Sequence, residues 1–402
     1  MTIVSLGSVV AQAVTIIAAP ILSRLFSPEQ FGEYALFITI VGLLSTVSAA
    51  SYELAIVKQS DEADASYLFQ SCIVLSLATS MLLFLLLPIF NLFVDLPFAV
   101  LMPITIFLYA ANNAMYSLLN RFERYTLLAK TQASRSTMIV FVQIIVGYLG
   151  FTRYGLTIGV IFSAFVVFIF SYFRFSTFHQ IKDLVSIKKL KTLLMSNSDF
   201  AVYGVPQNTA SYISSHAPVF VLTMYFDLAV VGAYFLAVKL VQIPANVLGS
   251  AVKRVFYRRA FVLKSDLKSL LQLYDKMALV MAVLIVPVTV FWFFNAEKIF
   301  PLIFGEEWIL AAAISKWLLI WFGAQFVMAP TRSLFIVFNM QRNLLGFDTV
   351  LGFLRIGLLI GLAENLIALE VIKYYSIASA VISISFVIGW HFFLVSKKLV
   401  LE

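Results

Sequence analysis

The sequence predicts an all-α polytopic membrane protein, with twelve transmembrane helices in two parallel six-helix halves around a central cavity. Long apolar segments, a low content of charge and an internal repeat carry this prediction. Of the 402 residues, 62% are hydrophobic and only 12% are charged, against about 25% charged in a typical soluble domain. The mean hydropathy is +0.98. We therefore expect the bilayer to be the solvent for most of the chain.

Each apolar segment approaches the ~20 residues that a helix needs to cross about 30 Å of hydrocarbon. Segments 67–90, 96–119, 154–173 and 277–294 contain no charged residue. The first segment has no basic region before it and is followed at once by another, so it is expected to be a retained helix and not a cleaved signal. The predicted spans are 3–23, 33–57, 67–90, 96–119, 135–152, 154–173, 200–225, 229–252, 277–295, 312–337, 345–363 and 373–395.

The net charge of +8 comes from an uneven distribution of Lys and Arg. Of the 25 basic residues that lie outside the spans or near a span end, twenty fall on one side of the membrane and five, which include Lys316 and Lys373, on the other. Arg135 is counted among the twenty, at the edge of its span. The composition predicts a polytopic inner-membrane protein, and the positive-inside rule predicts that both of its termini lie in the cytoplasm. Membrane lipids, and not nucleic acid, are the expected partners of the basic side.

Metal and disulfide chemistry are not expected. Cys72 is the single cysteine, which excludes a disulfide framework or a cysteine-based zinc site. The three histidines, His179, His216 and His391, lie in distant segments. We therefore predict no metal site and no cofactor.

An internal repeat appears when the chain is shifted by 200 residues. Six of twenty positions are identical between 22–41 and 222–241, and the pattern Phe-x5-Gly-x-Tyr occurs in both. Convergent loop chemistry is the alternative explanation. Six spans per half preserve orientation, so the halves are predicted to be parallel repeats that bind substrate at their interface and alternate access by rocking. The predicted boundaries are 1–175 for the first half, 176–199 for a cytoplasmic linker and 200–402 for the second half.

The first two spans contain the most specific motif. The run 20–34 reads PILSRLFSPEQFGEY, and 52–57 reads YELAIV. These stretches resemble the opening of the Wzx-type polysaccharide or O-antigen flippases, a polysaccharide-transport family of the multidrug/oligosaccharidyl-lipid/polysaccharide exporter superfamily. The resemblance implies a carrier, not an enzyme, that moves an undecaprenyl-diphosphate-linked glycan, with a polysaccharide polymerase and a chain-length regulator as protein partners. Such proteins have a short basic segment before the first span, so a longer natural start is expected here.

Ionisable residues inside predicted spans are candidates for function, because each costs roughly 2.5–3.5 kcal/mol on insertion scales. Lys239, Arg332 and Arg355 are cations, and Glu53 and Asp348 are carboxylates. This cationic surplus suits a diphosphate, for which Arg supplies a planar fork and Lys a point charge. We predict that the three cations bind substrate and that the two carboxylates serve coupling or gating.

Structural roles for the same charges remain open. Asp348 and Arg355 are seven residues apart, two turns along one helix face, and could form a partial ion pair. Glu53 could meet Lys58 or a lipid headgroup at the cytoplasmic rim. Lys239 lies ten residues into its span, too deep to reach the interface easily, which favours a cavity-facing role.

The most polar stretch inside any span is 204–218, which contains Gln207, Asn208 and His216 between two prolines. Its counterpart in the first half contains Gln12. Small and hydroxylated residues often only pack helices together. A bent helix with amides is also suited to line water, where the resemblance places the first and seventh spans, so Gln207, Asn208, His216 and Gln12 are predicted to line the cavity. Asn112 and Gln143 are weaker candidates, as able to bond a neighbouring helix.

Two other functions compete. A cation-coupled multidrug exporter of the same superfamily needs buried carboxylates, and only Glu53 and Asp348 are available. A membrane O-antigen polymerase or ligase would devote a large outer loop with Arg and His to catalysis, whereas the predicted outer loops are short. The P-loop motif that would indicate direct use of ATP is missing from the sequence.

Overall fold

The structure is a computed structural model that describes residues 2–91, 98–176 and 187–401. All the regular elements in these ranges are helical. The predicted linker 176–199 lies partly outside the described residues. The α-helices are α1 (Thr2–Leu25), α2 (Pro28–Ser48), α3 (Tyr52–Lys58), α4 (Glu62–Asn91), α5 (Met102–Arg121), α6 (Tyr125–Tyr148), α7 (Gly155–Ser176), α8 (Ile187–Ser196), α9 (Val205–Tyr225), α10 (Leu228–Val262), α11 (Leu267–Phe304), α12 (Ile309–Val327), α13 (Ala329–Val337), α14 (Gln341–Ala363) and α15 (Ala368–Leu401).

The fold class is confirmed, whereas the number of spans is not settled. Within the described residues, eight helical stretches are long and apolar enough to cross a membrane, and two further apolar helices, Val9–Leu25 and Leu228–Gln242, are shorter. Helices α6 and α9 are in neither group. Both occupy predicted spans, and both carry polar side chains along their length. The chain is thus a multi-pass membrane protein, and a count of twelve stays a prediction.

Two predicted spans are broken helices. The span 33–57 divides into α2 and α3 because Ala50 and Ser51 adopt left-handed backbone angles, with φ of 49° and 57°. The span 312–337 divides into α12 and α13 near Met328. Irregular backbone in a membrane helix is tolerated where protein or a cavity covers it. Each break changes the direction in which the following side chains point.

The repeat positions form the same turn twice. Helix α1 ends at Leu25 and α2 begins at Pro28, while α9 ends at Tyr225 and α10 begins at Leu228, so each boundary is displaced by 200 residues. At the first turn, the Ser27 amide donates to Gln30 Oε1 (3.0 Å) and the Gln30 amide donates to Ser27 Oγ (3.4 Å). This reciprocal pair is a capping box, which satisfies amides at the start of α2.

The chain packs into two compact units. One contains Met1–Phe26 and Glu33–His216, and the other contains Ser27–Gly32 and Ala217–Glu402. The first is built around a buried cluster that includes Tyr52, Leu68 and Met115. The second has a cluster around Tyr274, Leu334 and Trp390. The predicted boundaries of the halves at 175/176 and 199/200 stay predictions.

Candidate functional site

Arg332 and Asp348 form a two-pronged ion pair between α13 and α14. Arg332 Nη2 lies 2.8 Å from Asp348 Oδ1, and Nη1 lies 3.2 Å from Oδ2. Each side chain is more than a third exposed, at 38% and 37%. The sequence suggested Arg355 as the partner of Asp348. The partner is Arg332 instead, because the helix break near Met328 brings the first turn of α13, which contains Arg332, beside α14.

The position of α13 is fixed by a buried hydroxyl network. The Tyr274 hydroxyl on α11 lies 2.9 Å from Thr331 Oγ1 and also 2.9 Å from the carbonyl oxygen of Val387, to which it donates. Tyr274 is only 1% exposed. These contacts join α11, α13 and α15 at the residue that precedes Arg332. The guanidinium therefore projects from a rigidly packed turn.

Arg355 lies on the same helix as Asp348 and adds a second guanidinium. Its central carbon is 5.6 Å from the centroid of the Trp321 ring on α12, a cation–π distance. The Arg355 Nε is buried and has no hydrogen-bond partner. Arg355 is close enough to interact electrostatically with both Arg332 and Asp348. Two guanidiniums and one carboxylate thus share one region of the second unit, with positive charge in excess.

Lys239 is half-buried on α10. Its ammonium nitrogen is 4.2 Å from the centroid of the Phe235 ring, one turn earlier on the same helix. The aromatic face stabilises the charge away from water. The structure thus places Arg332, Asp348 and Arg355 together and gives Lys239 an aromatic contact of its own.

The polar residues of α9 have different environments. A short π-helical segment, Phe200–Gly204, precedes the helix. Asn208 donates to Ser51 Oγ at 3.1 Å, so its amide packs α9 against the turn before α3. Gln207 is exposed. The His216 ring stacks on Tyr212 at 4.0 Å with an interplanar angle of 10°, and its Nδ1 lies 3.0 Å from the Tyr212 carbonyl oxygen.

Glu53 and Gln12 each contain a buried oxygen with no hydrogen-bond partner, Oε2 and Oε1 respectively. Glu53 lies in the first turn of α3, directly after the left-handed residues. The suggested contact with Lys58 is not formed. The Lys58 ammonium instead lies 5.6 Å from the centroid of the Phe200 ring. A carboxylate oxygen that is buried and unbonded is costly, which keeps Glu53 a candidate for coupling.

Arg135 is a cation inside α6, with a buried Nε, that sequence reasoning placed at the edge of a span. The prediction placed it at the cytoplasmic edge of span 135–152, whereas α6 begins ten residues earlier, at Tyr125. That offset corresponds to about 15 Å along the helix. The guanidinium carbon lies 4.3 Å from the centroid of the Tyr109 ring, and Nε is buried without a hydrogen-bond partner. The charged run 121–124 is the signal that could have located the true start of the helix.

Other polar residues pack helices together. Asn112 Nδ2 donates to the carbonyl oxygens of Leu108 (2.7 Å) and Ala164 (3.0 Å). Gln143 Nε2 donates to the Leu156 carbonyl oxygen at 2.8 Å. These bonds join α7 to its neighbours α5 and α6. No group of three or more metal-ligating side chains occurs in the described part of the chain.

Comparison with protein families and curated sequences identifies relatives. The family model described as "Polysaccharide biosynthesis protein" matches residues 21–313. The succinoglycan biosynthesis transport protein ExoT of Rhizobium meliloti (strain 1021) is 25% identical over 306 residues. That alignment includes 73% of this chain and 60% of ExoT, so the chain spans less than two thirds of this relative's length.

Two solved transporters share the fold. The lipid II flippase MurJ, in an inward closed conformation, has a TM-score of 0.75 at 13% identity, over 97% of this chain and 87% of MurJ. A multidrug resistance MATE family transporter of the MOP superfamily, in an inward-facing conformation, has a TM-score of 0.67 at 16% identity, over 96% of this chain and 95% of the transporter. The similarity extends along nearly the whole chain in both cases.

Proposed function

Because the chain belongs to the polysaccharide biosynthesis protein family, we propose that it is a flippase that carries a lipid-linked oligosaccharide across the bacterial inner membrane. The carrier lipid is undecaprenyl diphosphate, and the cargo is an O-antigen or related repeat unit. One observation of the structure supports this most directly. Arg332 and Arg355 bring two guanidiniums into one region of the second unit, where Asp348 is paired with Arg332 and is close enough to interact with Arg355.

The Arg332 fork suits a diphosphate for geometric reasons. Its two terminal nitrogens already bind two oxygens of one carboxylate, at 2.8 and 3.2 Å. A phosphate is tetrahedral, but two of its oxygens can accept from the planar guanidinium in the same two-pronged way. Asp348 therefore occupies the place that a substrate phosphate would take. In this mechanism, substrate displaces Asp348 from Arg332, and Asp348 returns when the diphosphate leaves.

The glycan needs weaker and more adaptable contacts. Gln207 is exposed, and the stacked Tyr212 and His216 rings offer a flat surface. Amides and aromatic faces suit sugar hydroxyls and sugar rings respectively. Gln12 contributes a further amide whose oxygen has no partner. Lys239 adds a cation, held over Phe235.

Alternating access completes the mechanism. The internal repeat predicts two parallel halves, and in transporters of this design rocking of one half against the other moves the head group past the barrier without covalent change. The lipid tail stays in the bilayer. Both termini lie in the cytoplasm, and a polymerase and a chain-length regulator receive the product on the outer face.

The alternative is a cation-coupled drug exporter, which the MATE likeness and the unbonded Glu53 oxygen favour. Of its two candidate carboxylates, Asp348 is engaged by Arg332. A cationic drug or ion would therefore have to displace an arginine. The surplus of guanidinium charge favours an anionic substrate.

The function is tested by complementation of a strain that lacks its own flippase. The wild-type gene should restore surface polysaccharide, and its deletion from the native host should leave completed lipid-linked units on the cytoplasmic leaflet. Accumulation of unpolymerised units on the outer leaflet would identify a polymerase instead. Drug sensitivity with normal surface polysaccharide would identify an exporter.

The role of the ion pair is tested with single substitutions. Loss of a charge-assisted bond costs about 1.5–3 kcal/mol, or about tenfold to a hundredfold in binding. Arg332→Gln should therefore lower export by at least about tenfold. Asp348→Asn should retain measurable export, because the Arg332 guanidinium stays available to the substrate phosphate. Arg342→Gln, an exposed arginine at the start of α14, is the control. An equal loss of export in Arg332→Gln and Asp348→Asn would show that the ion pair is a structural contact and not a substrate site.

A further inference from the structure

A basic cavity lies beside the turn that joins α5 to α6. Its volume is about 610 Å³, and three cations line it: Arg124, Lys130 and Arg174. One carboxylate, Glu123, is also in the lining. Three cations and one carboxylate leave a net charge of +2. These residues belong to the first compact unit, whereas Arg332 and Asp348 belong to the second.

Local backbone geometry builds the cavity. Glu123 takes a left-handed conformation, with φ of 55°, which ends α5 and turns the chain sharply. The Arg124 amide donates to the Leu119 carbonyl oxygen at 2.9 Å and closes the turn. The Phe122 ring packs edge-on against Phe175 at 5.1 Å. The turn is thereby fixed to the end of α7, which brings Arg174 to the same cavity as Arg124 and Lys130.

The cavity lies where charged and apolar surfaces meet. Arg124, Lys130 and Arg174 are all exposed. On α7, Phe170 lines the cavity and is 50% exposed, and Phe173 beside Arg174 is 64% exposed. Exposed phenylalanines suit contact with lipid hydrocarbon, and an arginine beside them can keep its charged head among the polar headgroups. The charge distribution predicts that this side faces the cytoplasm.

We propose that this cavity binds the phosphate of an anionic lipid in the cytoplasmic leaflet. Arg124, in the turn between α5 and α6, and Arg174, on α7, can contact one phosphate from two directions, with Lys130 as a third charge. The acyl or prenyl chains would then lie along the exposed Phe170. Basic pockets between membrane helices on the cytoplasmic side are suited to such headgroups. A membrane phospholipid and the phosphate of a carrier lipid share this chemistry.

The test compares the lipids retained by purified protein. Native mass spectrometry should show wild-type protein retaining phosphatidylglycerol or undecaprenyl phosphate, whichever is the source, in preference to phosphatidylcholine. Loss of two or more charge-assisted contacts should weaken retention by about tenfold or more. The variant is Arg124→Gln with Lys130→Gln and Arg174→Gln. The control removes the same charge elsewhere, through Lys191→Gln with Lys264→Gln and Lys268→Gln.

The outcomes distinguish a membrane phospholipid from the carrier lipid, and two further results would contradict the proposal. Phosphatidylglycerol retained in preference identifies a membrane phospholipid, and undecaprenyl phosphate retained in preference identifies the carrier. Equal retention by the variant and the control would overturn the proposal. Displacement of the lipid by millimolar inorganic phosphate would show that the cavity recognises phosphate alone, and it would overturn the assignment of a lipid as the ligand. Equal thermal stability of both triple variants in lipid-free detergent shows that a loss of retention does not arise from unfolding.

Discussion

Gly32 and Gly232, which occupy the same position in the two copies of the repeat, pack against each other's turn. A Cβ atom on Gly32 would lie 1.9 Å from the carbonyl oxygen of Leu228, and one on Gly232 would lie 1.9 Å from that of Pro28. Pro28 and Leu228 are themselves 200 residues apart. The contact is therefore reciprocal, as expected of two related segments that meet about a local two-fold axis. Both glycines belong to the second compact unit.

Alanine at either glycine should destabilise the fold. The atoms that a Cβ would strike are backbone atoms, which cannot move aside as a side chain can. Overpacking of this kind costs typically about 1–3 kcal/mol. Gly32→Ala and Gly232→Ala should each lower the unfolding temperature in detergent, measured by size-exclusion chromatography after heating. Gly357→Ala is the control, because nothing lies within 4 Å of the added atom. An unchanged unfolding temperature in both variants would contradict the close approach.

Arg135 should matter for transport more than for stability. Its guanidinium lies on the Tyr109 ring, with one N–H unbonded, and an N–H donor of this kind is suited to a substrate oxygen. Arg135→Gln should lower export per folded molecule by about tenfold or more, the worth of one charged hydrogen bond. The measure is surface polysaccharide normalised to the amount of folded protein in the membrane.

Arg121→Gln is the matched comparison for Arg135. The Arg121 side chain holds the turn that follows α3, because it donates to the carbonyl oxygens of Gln59 (2.6 Å) and Ser60 (2.7 Å). Its loss should lower the amount of folded protein and leave export per molecule unchanged. If Arg135→Gln behaves in the same way as Arg121→Gln, then Arg135 is a structural residue.

Glu53 is the candidate for ion coupling. Glu53→Gln removes the charge and keeps the shape, and it should weaken the dependence of transport on external pH or on the ion gradient. Initial rates of glycan flipping in vesicles, with and without an imposed gradient, measure this. Glu62→Gln, an exposed carboxylate at the start of α4, should behave as wild type. Transport by Glu53→Gln with an unaltered gradient dependence would rule out coupling at this residue.

The orientation of the chain is tested by cysteine labelling in a Cys72→Ala background. Ser265 lies in the short turn between α10 and α11, and a cysteine there should resist an impermeant thiol reagent in intact cells. The predicted outer loop 296–311 is helical as far as Phe304. The outer probe therefore belongs at the exposed Glu307, where a cysteine should react. The reverse pattern of labelling would invert the topology.

Much of the architecture follows from composition and pattern alone. A chain that is 62% hydrophobic must satisfy its backbone within membrane helices, so the fold class was predictable. The repeat correctly located both turns, because Phe-x5-Gly-x-Tyr depends on local backbone geometry. The charged residues inside the predicted spans could also be identified from the sequence, because the residues around each of them are apolar.

The partners of those charges were decided by tertiary structure. Asp348 pairs with Arg332 and not with Arg355 because a helix break, invisible in the hydropathy pattern, turns α13 toward α14. Asn208 bonds Ser51 because two left-handed residues expose that hydroxyl to α9. Arg135 lies within α6 because the turn at Glu123 begins the helix ten residues early. Hydrophobicity determines which segments are buried in the bilayer, whereas contacts between side chains distant in sequence depend on where each helix bends.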